Sequence, residues 1–302
     1  MQTELKNSIE YLSSPEALAS IQRDPYWPKW DTPWWHMLLM HELGESDQIP
    51  QLAIDKMISV IQSHYLKTFP LTIEEIPEGT DPRRQIACHC ALGSIYQVLF
   101  ARDPHIDQKL PWIRPWFLKY QMGDGGLNCD EAAYTKSPSK SSIVSTLPCL
   151  EAIFFCRNGD LNSAEHDFVN KGAHYLLRQK LFRKLSNGEI IDKNWLEIRF
   201  PRFYEYDFLR GYFFLAKWSQ YSGFEIPSEL KKEVHSLASM QIQDGQVILK
   251  RYHIVDSYSY NPSPDNSWAS GKANEFALMK KVSQAELPNA ALTKQWNSIK
   301  SI

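Results

Sequence analysis

Cys88-His89-Cys90 sets two thiols and an imidazole side by side, and Cys129-Asp130 adds a third thiol and a carboxylate further along the chain. Thiolate sulfur, imidazole nitrogen and carboxylate oxygen are the donors that hold zinc. Consecutive residues on a helix diverge by about 100°, so the spacing predicts that the three members of Cys88–Cys90 cannot all face one ion. It leaves Cys88 or His89, joined by Cys129 or Asp130, as the metal-ligating set. The paired C-x-x-C spacing of structural zinc is missing. The competing expectation is packed thiols beside a pocket-lining His89.

Carboxylates form the second chemical group. In KYQMGDGGLNCDEAAY (119–134), Asp124 precedes Gly-Gly and suits a turn. Asp130 and Glu131 lie beyond that turn, where each is either a general acid/base and substrate hydrogen-bonding group or a solvated loop charge. Tyr204-Glu205-Tyr206-Asp207 with Arg210 is the third focus. At helical spacing Asp207 and Arg210 form an i, i+3 ion pair; alternatively Asp207 or a tyrosine hydroxyl works as acid/base while Arg210 orients a carboxylate or phosphate. The run WPKWDTPWWH (27–36) packs five aromatic or imidazole side chains into ten residues. Trp27 and Trp30 suit a stapled loop, and Trp34, Trp35 and His36 suit a ligand platform.

The elements that must position these groups are helices. Ser141–Cys156 carries apolar residues at steps of three and four (Ile143, Val144, Leu147, Leu150, Ile153, Phe154), and Tyr204–Trp218 does the same. Strand-like alternation is confined to Gln246–Ile254. The helices pair off, as in Glu16–Gln22 with Trp34–Leu43, Leu52–Tyr65 with Arg83–Leu99, and Trp112–Gln121 with Ser141–Cys156. Asp167–Gln179 with Tyr204–Trp218, and Glu229–Gln243 with a return from about Trp268, complete the set. The second helices begin near residues 34, 83, 141, 204 and 268, at intervals of 49, 58, 63 and 64. A helical hairpin cannot bury its own apolar face, so neighbours must stack. The Gly/Pro-rich breaks then gather on one face, as binding loops do. This predicts a single all-α domain over 1–302.

Gln121-x-x-Asp124-Gly125-Gly126 and Gln241-x-x-Asp244-Gly245 resemble the QW repeat, Q-x-x-(D/E)-G-x-W, of squalene–hopene cyclases, whose architecture the prenyltransferase β-subunits share. Leu127 and Val247 stand where the signature has Trp, and the loop from Gln179 to Trp195 keeps only the Gln and a displaced Trp. The resemblance implies an α/α toroid, here an incomplete barrel of about five hairpins around a central funnel. It also implies that the funnel mouth is lined by loops and inner-helix N-termini, bearing Trp34, Trp35, His36, His89, Tyr204, Tyr206, Arg210 and Trp268 as substrate-binding groups. The cyclases' acidic D-x-D-D and the D-D-x-x-D of ionising synthases do not occur. The prenyltransferases' zinc set, an Asp and a Cys two residues apart with a distant His, is approached only by Asn128-Cys129-Asp130.

Thirty-three basic against 35 acidic residues, with no basic tract, argue against a nucleic-acid surface. No run of 18 apolar residues predicts an integral membrane segment. The amino-terminal stretch lacks a signal-peptide pattern, and five cysteines read as reduced thiols, so the expectation is a cytoplasmic protein. Ten Trp and 14 Tyr suit pockets apolar on one side and hydrogen-bonding on the other. The expected partner is a small-molecule substrate or ligand, with no cofactor unless the thiols hold a metal. Three functions fit: a terpenoid cyclase- or prenyltransferase-like protein for an isoprenoid or other bulky substrate, a carbohydrate-active lyase or hydrolase on the same toroid, or a non-catalytic binding protein.

Overall fold

The computed structural model describes the chain except residues 31, 253–257 and 266. Among the described residues there are fifteen α-helices and two small antiparallel sheets. The chain opens with α1 (Gln2–Leu12), α2 (Pro15–Arg23), α3 (Pro33–Glu42), α4 (Gln51–His64), the single turn α5 (Pro82–Gln85) and α6 (His89–Arg102). Next come α7 (Ile106–Lys109), α8 (Ile113–Lys119), α9 (Ala132–Thr135), α10 (Ile143–Phe155), α11 (Ser163–Arg178), α12 (Phe208–Ser222) and α13 (Ser228–Ser239). The hairpins β1 (Ile242–Gln243) with β2 (Gln246–Val247) and β3 (Tyr258–Pro262) with β4 (Trp268–Lys272) precede α14 (Ala277–Val282) and α15 (Ala290–Asn297).

Local chemistry sets these boundaries. Ser14 accepts the Ala17 N–H ahead of Pro15 at the start of α2. Asn162 and Glu165 form a reciprocal capping box at the start of α11. Asp207 caps α12 by accepting the Arg210 N–H at 2.8 Å, which places Tyr204, Tyr206 and Asp207 ahead of the helix rather than on it. The helix expected from Arg83 likewise divides: α5 ends at Gln85, and Cys88 is extended (φ −79°, ψ 152°) before α6 begins at His89.

The return helix expected from Trp268 is a correction, because Trp268 opens strand β4 and pairs with Pro262. Five-residue segments rich in Tyr, Trp and Ser are too short for a helical stripe and suit a ribbon. In the Gln246–Ile254 segment only Gln246–Val247 is strand, and residues 253–254 lie outside the described residues. Asp244 and Gly245 both take positive φ (49° and 76°), the geometry of a two-residue hairpin turn. The second QW-like copy is therefore a β-turn and not a helix stop.

Helices α3, α6, α10, α12 and α15 pack each on the next, and α2, α4, α8, α11 and α13 pack against them. The closest pair is α6 and α10. A Cβ on Gly93 would stand 2.6 Å from the Pro148 carbonyl carbon, so only glycine lets these backbones meet. One apolar cluster runs from Leu12 to Ile299, and Trp34, Trp35, Trp218, Tyr206 and Tyr212 are among its largest buried side chains. No described helix is long and apolar enough to cross a membrane.

Candidate functional site

Helices α3, α6, α10, α12 and α15 border a cavity of about 370 Å³. Its wall is made by the C-terminal halves of α3, α6 and α10, the start of α12, the 200–203 loop and α15. Phe100, Phe155, Phe200, Phe203, Phe213 and Leu38 give the apolar surface. Its polar groups are Glu42, Ser94, Gln97, Glu151, Arg202 and Arg210.

Two buried ion pairs brace this wall. Arg210 meets both Glu151 oxygens (Nε at 2.9 Å, Nη2 at 2.6 Å) and donates to the Phe203 and Glu205 carbonyls. Arg202 meets Asp207 through Nε at 2.7 Å and Nη2 at 3.2 Å, and reaches Gln295 at 2.6 Å. Both guanidiniums are thus spent on fixed carboxylates. Glu42 has no such partner: it accepts the backbone N–H groups of Arg202, at 2.7 Å, and Phe203. Burial raises its pKa above the ordinary carboxyl value, opposed by those bonds and by Arg210 and Arg202. Ser94 Oγ, buried on the same wall, meets no hydrogen-bond partner among the described residues.

Of the substrate-binding residues expected from the sequence, Arg210 alone lines this cavity. Trp34, Trp35 and His36 are buried in the core. Trp35 Nε1 donates to the Tyr26 and Pro28 carbonyls, and His36 stacks on Phe276 with Nδ1 at 3.1 Å from Ser8 Oγ. Tyr206 packs on Gly211, and Asp207 is fully buried in its cap and ion pair. The i, i+3 ion pair expected of Asp207 and Arg210 is replaced by a backbone cap, and each side chain has another ionic partner. Tyr204 stacks along Trp30 and accepts from Lys29, and Trp268 lies under Arg84. Asp130 is exposed and accepts the Ala132 N–H in its own turn, while Glu131 leads into α9. Glu42, Ser94, Gln97 and Glu151 escaped the sequence reading. Their signal is a polar residue inside an apolar helix, as Glu151 is the one charge in IVSTLPCLEAIFF (143–155).

At the opposite, N-terminal ends of α6 and α10, three thiols converge. Cys88 and Cys90 sulfurs lie 3.3 Å apart, Cys90 and Cys129 sulfurs 3.7 Å, and all three fall within 4.8 Å of one another. On the sequence alone Cys88–Cys90 is expected to be helical. Because Cys88 is the extended residue before α6, its side chain folds back beside that of Cys90, and the 100° rule does not hold there. The Cys129 N–H donates to Ser145 Oγ at 3.1 Å, and the neighbouring Leu127 pairs with Ser142, pinning the loop to α10. Asp130 and His89 stand outside the cluster. His89 is fully buried and turns away, with Nδ1 2.8 Å from Trp116 Nε1 and Nε2 3.0 Å from Tyr134 Oη.

The GDGG turn is architectural. Gln121 Nε2 donates to the Gly125 carbonyl at 2.9 Å and to the Phe168 carbonyl of the next hairpin at 2.8 Å. Asp124 accepts the Ser141 N–H and hydroxyl at the entry to α10. No family model matches this chain, and no curated protein or solved structure matches it.

Proposed function

We propose that the cavity binds an isoprenoid or another bulky, mostly apolar small molecule, on an α/α-toroid frame of the kind that the QW-like loops suggest. The observation that carries this is the wall itself: five phenylalanines and Leu38 around about 370 Å³, with a few polar groups at fixed positions. Small-molecule sites typically enclose about 300–1,000 Å³ with this apolar majority. The stacking of inner helices α3, α6, α10, α12 and α15 around the space supports the toroid. No Trp among the described residues lines the cavity, which favours an apolar ligand over a stacked sugar.

Glu42 and Ser94 are the groups such a ligand would meet with a hydroxyl or other polar end. A carboxyl held toward its neutral form beside aromatic faces is also suited to pass a proton to an unsaturated substrate, since the rings favour nearby positive charge. That step would make the protein a cyclase-like enzyme; without it the same cavity is a carrier site.

Farnesol and geranylgeraniol titrated into the full chain, read by tryptophan fluorescence and calorimetry, test the binding. Saturable binding that Ala101→Phe abolishes by filling the cavity whose wall Ala101 lines, with folding intact by circular dichroism, is the expected result. No binding of any prenyl alcohol, prenyl diphosphate or polyene would remove the proposal. If binding holds, Glu42→Gln separates the two forms: an enzyme loses turnover and keeps affinity, whereas a carrier shows no turnover before or after.

A further inference from the structure

We infer that Cys88, Cys90 and Cys129 form a binding site for a soft divalent cation, zinc foremost, with three thiolates as the protein's ligands. This rests on the thiols alone and stands whether or not the cavity takes an isoprenoid. It is also not the Asp/Cys/His donor set that the sequence resemblance implies, because Asp130 and His89 are both directed elsewhere.

Geometry carries the inference. A tetrahedral zinc with bonds of about 2.3 Å holds its sulfurs about 3.8 Å apart. The separations of 3.3 Å and 3.7 Å, with the third inside 4.8 Å, need shifts of a few tenths of an ångström to an ångström. All five cysteines are free, and Cys88 and Cys90 stand well beyond the bond length of about 2.05 Å that a disulfide requires. The other two thiols show what a merely packed cysteine does in this protein. Cys149 points its sulfur at the His89 and Ser145 carbonyls, and Cys156 is buried beside the cavity.

The three clustered sulfurs come from two separate segments that the fold holds rigidly together. Cys88 and Cys90 straddle the first turn of the 14-residue helix α6, and Cys129 is fixed by Ser145 on α10. The tight α6–α10 contact at Gly93 and Pro148 holds the two segments in place. The N-terminal end of α6 turns its positive dipole end toward the Cys88 and Cys90 sulfurs. Cys88 and Cys129 are only partly buried, leaving an approach for the ion. Three protein ligands leave one position of a tetrahedral ion for a water or an exogenous ligand, the arrangement of a zinc that does chemistry rather than one that only staples.

The test uses the full reduced chain with zinc and, separately, cobalt(II) as probes. About one equivalent should bind, with cobalt giving a thiolate charge-transfer band and tetrahedral d–d bands. Alkylation followed by mass spectrometry should show Cys88, Cys90 and Cys129 protected by zinc and Cys156 unchanged. This measurement needs no variant, so it survives any folding defect. Cys90→Ser and Cys129→Ser should each weaken zinc by more than about 100-fold, since losing an outer partner alone costs 10–100-fold; Cys156→Ser should not. No zinc or cobalt uptake by the reduced chain would overturn the site. So would protection of other thiols, or uptake unchanged in both Cys90→Ser and Cys129→Ser.

Discussion

Trp116 donates its indole N–H to Nδ1 of His89 across 2.8 Å, and this one bond fixes the state of the imidazole. An indole nitrogen can only donate, so Nδ1 must be the unprotonated acceptor and the ring's proton sits on Nε2, facing Tyr134 Oη at 3.0 Å. Tyr134 Oη in turn donates to the Tyr120 carbonyl and accepts the Asn128 N–H. The imidazole next to the thiol cluster is therefore a neutral strut that ties the Asn128 loop to α8.

A pH dependence follows. Burial pushes His89 from its ordinary 6.5 down to about 4, opposed by Cys129. Burial does the same to His36, to about 3, and to His41, to about 4. In each case the unfolded chain binds the proton first. Stability is therefore full above about pH 6.5 and falls as pH drops toward 4, by up to about 3 kcal/mol for His89 alone. Urea denaturation at pH 7 and pH 4.5 should show the fall, and His89→Gln should flatten part of it. A histidine C2–H resonance titrating near 6.5 for His89 would contradict the assignment.

The Arg210–Glu151 pair predicts a sharp asymmetry between single and double changes. Glu151→Gln leaves a buried guanidinium with carbonyls and without its hydrogen-bonded carboxylate, only Glu42 and Asp207 acting on it from further off, and should cost about 3 kcal/mol. Glu151→Leu combined with Arg210→Met removes both charges and should recover most of the loss. Chemical denaturation of the three variants measures the coupling; additive costs would mean that the pair is not the brace described.

Glycine requirements in the GDGG turn are separable. Gly125 has φ +94°, and a Cβ there would stand 2.4 Å from the Lys171 carbonyl oxygen, a backbone atom that cannot yield without moving α11. Gly125→Ala should cost about 3 kcal/mol. Gly123→Ala, where nothing lies within 4 Å, should stay within about 0.5 kcal/mol. Melting temperatures of the two variants decide the matter.

How much of this was legible follows from which interactions are local. The helix pairs through α12 and the structural role of Gln121–Gly126 can be read from periodicity and turn chemistry, because both depend on neighbours in sequence. The thiol cluster could not be read correctly, since its geometry depends on where α6 starts. Arg83 and Arg84 look like helix residues, yet Asp81 caps a separate turn and Asp24 takes the Arg84 guanidinium at 2.9 Å, leaving Cys88 extended. The cavity escaped for a different reason. Which turns of α3, α6 and α10 face the open space depends on how far the 200–203 loop fills the other end, where Phe200 and Phe203 are buried against the wall.

Glu42 yields the last prediction, and its sign is opposite to that of the histidines. Its carboxyl is raised above the ordinary 4.5 by burial, so the folded state holds the proton longer than the unfolded chain does. Its contribution is complete below about 4.5 and is lost as pH rises through the raised value. Above that raised value the ionised carboxylate is a cost that the fold carries at the cavity wall. Glu42→Gln removes that charge and keeps one oxygen, so one of the Arg202 and Phe203 N–H groups, which Glu42 accepts on separate oxygens, loses its acceptor at every pH. Relative to the parent, the variant should therefore gain stability as pH rises from 4.5 through the raised value, on top of a constant cost of about 1–3 kcal/mol for the lost bond. Denaturation midpoints across that range measure it. A gap that widens against the variant as pH rises would show Glu42 to be a structural ion held by Arg202 and Arg210. The predicted gain would mark a carboxyl that the cavity keeps at the expense of the fold, as functional groups often are.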